Sequence, residues 1–108
     1  MTDRLLSLLG LCRRAGRLTL GFDPVMDSIN LKKAKLVIVA SDCSPHTARD
    51  TLIACHKMGV KSHTVAYTKE EISLAVGKYT AVLSITDEGF SQKADTLIKG
   101  GITHGYDD

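Results

Sequence analysis

The chain has 108 residues, 44% of them hydrophobic and 24% charged, with a formal net charge of +2. That is the size of one compact domain with enough apolar content for a real core, and residues 1–108 read as a single domain. No apolar run approaches the roughly 20 residues that a membrane-spanning helix needs, which excludes a bilayer-spanning class.

The first nine residues, Met1 to Leu9, have the apolar look of an export signal. Their run is short, meets Arg13-Arg14 at once and has no small-residue cleavage site, so export is not expected. Three cysteines make an odd number with no paired framework, which suits a reducing cytoplasm. Charge is distributed unevenly. Residues 1–35 carry seven basic and three acidic groups, a balance of 7 − 3 = +4. The remainder carries 14 − 7 = 7 basic against 12 − 3 = 9 acidic, a balance of −2. A basic N-terminal third fits a nucleic-acid partner, although solvated helix faces also carry charge.

Residues 3–15 read as a helix, because Leu5, Leu8, Leu9 and Cys12 recur at three- and four-residue spacing. Thr2 is a reasonable cap at its start, and Gly16 suits the left-handed position after its end. Leu18 to Leu20 reads as a short strand that turns at Gly21. A second helix follows, with Asp23 expected as its N-cap and Pro24 at its first position, running to about Lys33. A helix N-terminus beside a glycine is an anion-binding geometry, and nucleic-acid phosphate is one possible anion. An ordinary capped helix explains the same residues, and the local pattern alone favours it.

Leu36 to Ala40 has no polar alternation and reads as a central strand buried on both faces. Ser44 caps a third helix with Pro45 at its first position, closed by Gly59 after Met58. Lys61 to Tyr67 reads as a weaker, more polar strand. Thr68 caps a short fourth helix with Glu70 and Glu71 in its first turn, ending at Gly77. Thr80 to Ile85 reads as the fourth strand, and Thr86 or Asp87 begins a last helix that ends near Lys99. Residues 100–108 are glycine-rich and polar and are expected to fray. The order is α-β-α-β-α-β-α-β-α, which implies one sheet covered by helices on both faces.

Chemical motifs are sparse. There is no dinucleotide fingerprint and no Walker A sequence. Cys43 and His46, and the adjacent Cys55 and His56, lack a second matching pair, so buried free cysteines explain them better than a metal site. A Cys43–His46 nucleophile pair is conceivable at a helix N-terminus, but no orienting acid or oxyanion site is evident. Asp42 and Asp87, after strands two and four, are able to flank a small-molecule site, with helix capping as the commoner use of such residues. Phe22, Tyr67, Tyr79 and Phe90 are too few for an open stacking sheet.

The segment Leu8 to Leu18, then Gly21, Ala34 to Asp42, Tyr67 to Ile72, Ala75, Gly77 and Thr86 to Phe90 carry a resemblance across about residues 4–99. In order and spacing they resemble the kink-turn RNA-binding ribosomal protein family, the group of archaeal seven-Ae and eukaryotic thirty-e proteins, and in particular its bacterial YlxQ-like branch. The resemblance implies a three-layer α/β/α sandwich around a four-stranded mixed sheet. It implies a non-catalytic, cytoplasmic protein, monomeric and free of metal or cofactor, that binds structured RNA, with ribosomal RNA the expected partner. It places Thr19, Leu20, Gly21, Phe22, Asp23, Pro24 and Asp27 in the RNA groove beside sheared G·A pairs. The loop Val76 to Thr80 would cover a flipped-out nucleotide through Gly77, Lys78 and Tyr79, with Tyr79 stacking on a base and Ser44 at the same rim. Many family members carry Gly-x-Asn-Glu-x-x-Lys where this chain has Gly21-Phe22-Asp23-Pro24-Val25-Met26-Asp27, so Asp27 stands in place of a cation. Two alternatives remain open on the residues: the same fold binding another RNA or a ribosomal protein, and a small α/β enzyme.

Overall fold

The structure, a computed structural model, describes residues 3–100. Thr2 and residues 101–108, and with them the expected cap and most of the expected fraying tail, lie outside the described residues. The elements are α1 (Arg4–Arg14), β1 (Leu18–Leu20), α2 (Phe22–Asn30), β2 (Leu36–Val39), α3 (Pro45–Met58), β3 (Lys61–Thr64), α4 (Lys69–Val76), β4 (Val82–Ile85) and α5 (Glu88–Lys99). They occur in the expected order and build a four-stranded mixed sheet, β1-β4-β2-β3. Strand β4 runs antiparallel to both β1 and β2, whereas β2 and β3 are parallel.

The alternation of side chains along β2 assigns the helices to the two faces. Leu36, Ile38 and Ala40 join Leu83 and Ile85 of β4 beneath Leu5 and Leu9 of α1, Ile72 and Val76 of α4 and Ala94 of α5. Val37 and Val39 face the other way, against Val25 and Ile29 of α2 and Ala54 and Cys55 of α3. The sheet is thus the middle of three layers. Both central strands are buried throughout, which is why β2 shows no polar alternation. Ser84 of β4 is the polar exception; its hydroxyl lies 2.8 Å from that of Ser28, which donates at 2.7 Å to the Val25 carbonyl.

Local chemistry accounts for the helix ends. Asp3 caps α1 by accepting from Leu5 and Leu6, and its second carboxylate oxygen takes the Tyr67 hydroxyl. Burial first, and then Asp3, push the Tyr67 hydroxyl upward from its ordinary pKa. Ser44 and Thr68 cap α3 and α4 as expected, the latter in a full capping box with Glu71.

Helix α2 departs from expectation at both ends. Its N-cap is Gly21, not Asp23, and no side chain caps it. Asp23 therefore sits in the first turn, where its charge still complements the helix dipole, and Pro24 is the third helical residue. The helix stops at Asn30, because Lys32 adopts a left-handed φ of 60° and the Lys33 N–H folds back onto the Ser28 carbonyl at 2.9 Å. Strand β3 ends at Thr64 and β4 starts at Val82, both shorter than read from sequence, because the flanking residues turn out of the ladder to form the rim described below.

On the β3 side, Asp95 of α5 draws three partners together: His63 at 2.7 Å, Lys61 at 3.1 Å and Lys99 at 3.2 Å. The hydrogen bond with His63, helped by the two lysines, holds the Asp95 carboxyl well below the usual carboxylate range. A carboxylate depressed on folding stabilises the fold fully above its unfolded pKa, about 3.9, and that contribution is lost as pH falls toward the lower folded value. Asp95→Asn should therefore lower the urea midpoint at pH 7, with the gap to the parent protein closing below about pH 4. A gap that persists undiminished at pH 2 would show that the carboxylate charge is not what holds this edge.

Candidate nucleic-acid interface

Four connections meet at one end of the sheet: the β1–α2 turn, the β2–α3 loop, the β3–α4 loop and the α4–β4 loop. Because β4 is antiparallel to β1 and β2, its N-terminal end lies beside their C-terminal ends. Backbone bonds tie the group together. Gly21 N–H donates to the Thr80 hydroxyl at 3.0 Å and to the Val82 carbonyl at 3.2 Å. Ala40 donates to the Ala81 carbonyl at 2.9 Å, and Ser41 to the Tyr67 carbonyl at 2.8 Å. Asp42 accepts the backbone N–H of Lys69 at 2.8 Å, which fastens the β2–α3 loop to the start of α4.

The backbone conformation of Gly21, φ 94° and ψ 155°, belongs to the region that only glycine occupies readily. A Cβ there would meet nothing closer than Pro24 Cδ at 3.7 Å, so the requirement is conformational and not one of space. Thr80, 4% exposed, also hydrogen-bonds the Val82 carbonyl and so is fixed in place.

Of the residues singled out in the sequence, the Gly21 turn and the Gly77–Lys78–Tyr79 loop are brought side by side through Thr80. Thr19 and Leu20 lie on edge strand β1, partly buried and paired with Ser84 and Leu83. Asp23, Pro24 and Asp27 are exposed on α2, and Asp27 is the sixth residue of that helix, one turn beyond Asp23. Phe22 leans over a cleft of about 400 Å³ between α2 and α3, lined also by Met26 and Ile53. Ser44 is exposed and caps α3. Tyr79 is 65% exposed, and Lys69 Nζ stands 5.7 Å from the centre of its ring, within cation–π range.

Three contributors were not singled out as site residues: Thr80, Lys69 and Arg13. The Arg13 guanidinium donates at 2.8 Å to the Val76 carbonyl, at the last turn of α4, where a cation suits the helix dipole. No motif marks any of them, since each acts on backbone or side chains distant in sequence.

The alternative chemistries do not assemble. Asp42 and Asp87 follow strands that run in opposite directions, so they lie at opposite ends of the sheet and cannot flank one site. Asp42 accepts from Lys69, and Asp87 caps α5 through Phe90 at 2.8 Å. His46 is engaged by Asp50 at 3.3 Å and Arg49 at 3.1 Å. Burial pushes the Cys43 thiol up, opposite to the shift a thiolate nucleophile needs. No group of three or more potential metal ligands occurs among the described residues.

Two expectations follow. Gly21→Ala should destabilise the fold by about 1–3 kcal/mol in urea unfolding, the cost of forcing a side-chain-bearing residue into this region; an unchanged midpoint would mean that the turn relaxes freely. The thiols of Cys12 and Cys55 are pushed up to about 11, chiefly by burial. At pH 8 only about one in a thousand of each is thiolate, so a disulfide reagent should modify Cys43 first and the other two only on unfolding. Simultaneous labelling of all three in the folded protein would contradict the buried placement of Cys12 and Cys55.

Residues 3–95 match the ribosomal protein L7Ae/L30e/S12e/Gadd45 family. An RNA-binding protein YlxQ from Enterococcus faecium is 33% identical over 98 residues, covering 91% of this chain and 94% of that protein. The large ribosomal subunit protein eL30 of Lupinus luteus is 37% identical over 93 residues, covering 82% and 81%. Among solved structures, a protein of unknown function from Bacillus halodurans superposes with a TM-score of 0.86 at 32% identity, covering 91% of this chain and 99% of that one. A Giardia lamblia 15.5kD RNA binding protein shares the fold with a TM-score of 0.75 at 22% identity, covering 96% and 92%. These named relatives are RNA-binding and ribosomal proteins, not enzymes. The chain belongs to the ribosomal protein L7Ae/L30e/S12e/Gadd45 family, in a bacterial YlxQ-like branch.

Proposed function

We propose that this chain is a non-catalytic cytoplasmic protein that binds structured RNA with a kink-turn-like bend, with ribosomal RNA as its natural partner. The observation that carries the reading is the joining of the Gly21 turn to the Gly77–Tyr79 loop through Thr80. It sets an uncapped helix N-terminus beside an exposed aromatic ring. The helix start suits polar groups of a distorted base pair, and the ring suits a base that has left its stack. The names of the relatives support RNA as the ligand.

Asp23 and Asp27 give the helix start a different chemistry from the amide, acid and lysine common in the family. Carboxylates are acceptors only and repel phosphate, so this helix reads base-edge N–H donors. A second reading, the same fold docking a ribosomal protein, is favoured by one feature. A cleft of about 880 Å³ between α1 and α5 is lined by Leu8, Leu11 and Leu97, with Leu11 47% exposed.

Titration against a kink-turn, a plain duplex and a single strand separates these readings. The kink-turn should bind most tightly, with affinity falling steeply as salt rises; equal or absent binding to all three at low salt contradicts it. Tyr79→Ala should weaken kink-turn binding by about 5- to 150-fold, the range that loss of one base–aromatic stack gives. Asp27→Lys should tighten it by on the order of tenfold and steepen the salt slope by about one, since one more phosphate is neutralised.

A further inference from the structure

The basic N-terminal third carries its charge in two places that the fold separates. Lys32, Lys33 and Lys35 follow the far end of α2, beyond the exposed acids Asp23 and Asp27. Arg13 and Arg14 end α1 and lean onto α4. The Arg13 guanidinium reaches the Val76 carbonyl at 2.8 Å. Arg14 Nη1 lies 3.7 Å from the point where a Cβ on Gly10 would stand. At that point α1 and α4 are so close that the same Cβ would be 2.9 Å from the Ala75 carbonyl oxygen. Both guanidinium groups therefore lie over the α1–α4 seam. The chain leaves α4 there into Gly77, Lys78 and Tyr79, and Lys69 stands over the Tyr79 ring.

None of Arg13, Arg14, Lys69 and Lys78 has a carboxylate within 4.0 Å among the described residues, in contrast to the paired lysines around Asp95. The acids of α4, Glu70 and Glu71, are at its other end, about 10 Å away along the helix. Arg13 uses one donor on Val76 and keeps others free, because a guanidinium carries five N–H groups.

We propose that the phosphate backbone of the bound RNA crosses the α1–α4 seam, neutralised by Arg13, Arg14 and Lys78, and does not follow the acidic face of α2. This rests on the RNA-binding reading and divides the labour within it. Helix α2 and Tyr79 contact bases, and the seam supplies the anion path. Arg13 is in addition a positioning residue, since its bond to the last turn of α4 holds the base of the Tyr79 loop.

The test compares two charge-matched double variants in the full chain, each titrated with a kink-turn RNA over a range of salt concentrations. Arg14→Gln with Lys78→Gln removes two seam cations and leaves Arg13 in place. Lys32→Gln with Lys33→Gln removes two at the far end of α2. All four side chains are exposed, and matching thermal midpoints would confirm intact folding. Each phosphate contact contributes about 0.7–0.9 to the slope of log affinity against log salt. The seam variant should lose about 1.4–1.8 of that slope and bind on the order of tenfold or more weakly at low salt. The α2 variant should change affinity by less than about threefold, and Arg14→Lys with Lys78→Arg should retain the full slope. If the two charge-loss variants behave alike, the seam path is wrong while RNA binding stands. If the unmodified protein shows no salt-dependent binding, the RNA-binding reading itself fails and the seam path with it.

Discussion

A single backbone N–H, that of Gly21, joins the two halves of the candidate interface. It points into the start of β4, onto the Thr80 hydroxyl and the Val82 carbonyl. It does so only because glycine tolerates the φ and ψ that carry the chain from strand β1 straight into helix α2. The consequences run outward from that bond. The turn and the α4–β4 loop are held in register, and Tyr79 stands out beside the start of α2. Arg13 steadies the same loop from behind, through Val76. A capped, side-chain-satisfied helix start would present fewer free N–H groups. The absence of a cap on α2 is therefore compatible with a surface that meets polar partners in the complex.

The electrostatic character of the rim follows from where charges stand and not from their number. A net charge of +2 says little. Asp23 and Asp27 make the exposed side of α2 acidic, and Arg13, Arg14 and Lys78 make the α1–α4 seam basic. The sheet keeps the two apart, because α2 packs on one face and α1 and α4 on the other. An RNA that bends sharply offers base edges and phosphates in different directions from one point, which matches a rim with unlike chemistry on its two sides.

Much of this was legible in the residues, for reasons that differ by element. The unbroken apolar run Leu36 to Ala40 can only be a strand covered on both faces. Ser44-Pro45 and Thr68-x-x-Glu71 are cap signatures whose mechanism lies within four residues, so they appeared where expected. The start of α2 was misread because Asp23-Pro24 imitates the same signature. What decided it was the bond from Gly21 to Thr80, 59 residues away, which no local pattern contains. The ends of β3 and β4 were overextended for the same reason: bonds from Ser41 to Tyr67 and from Ala40 to Ala81 draw those residues into the rim. Asp42 and Asp87 were paired in the sequence by position after strands, and separated in space by the antiparallel sense of β4. Lys69, Thr80 and Arg13 carried no signal, since their contacts are long-range and made by common residue types.

The most direct measurement of the interface is the perturbation of backbone amide resonances as a kink-turn RNA is added to the labelled protein. The largest changes should fall on Leu20 to Asp23 and on Gly77 to Ala81, with Asp42 to Ser44 next and β3 unaffected. Changes concentrated instead on Leu8, Leu11, Gln92 and Thr96, with Gly21 and Tyr79 silent, would contradict the rim as the RNA-binding surface and point to the cleft between α1 and α5.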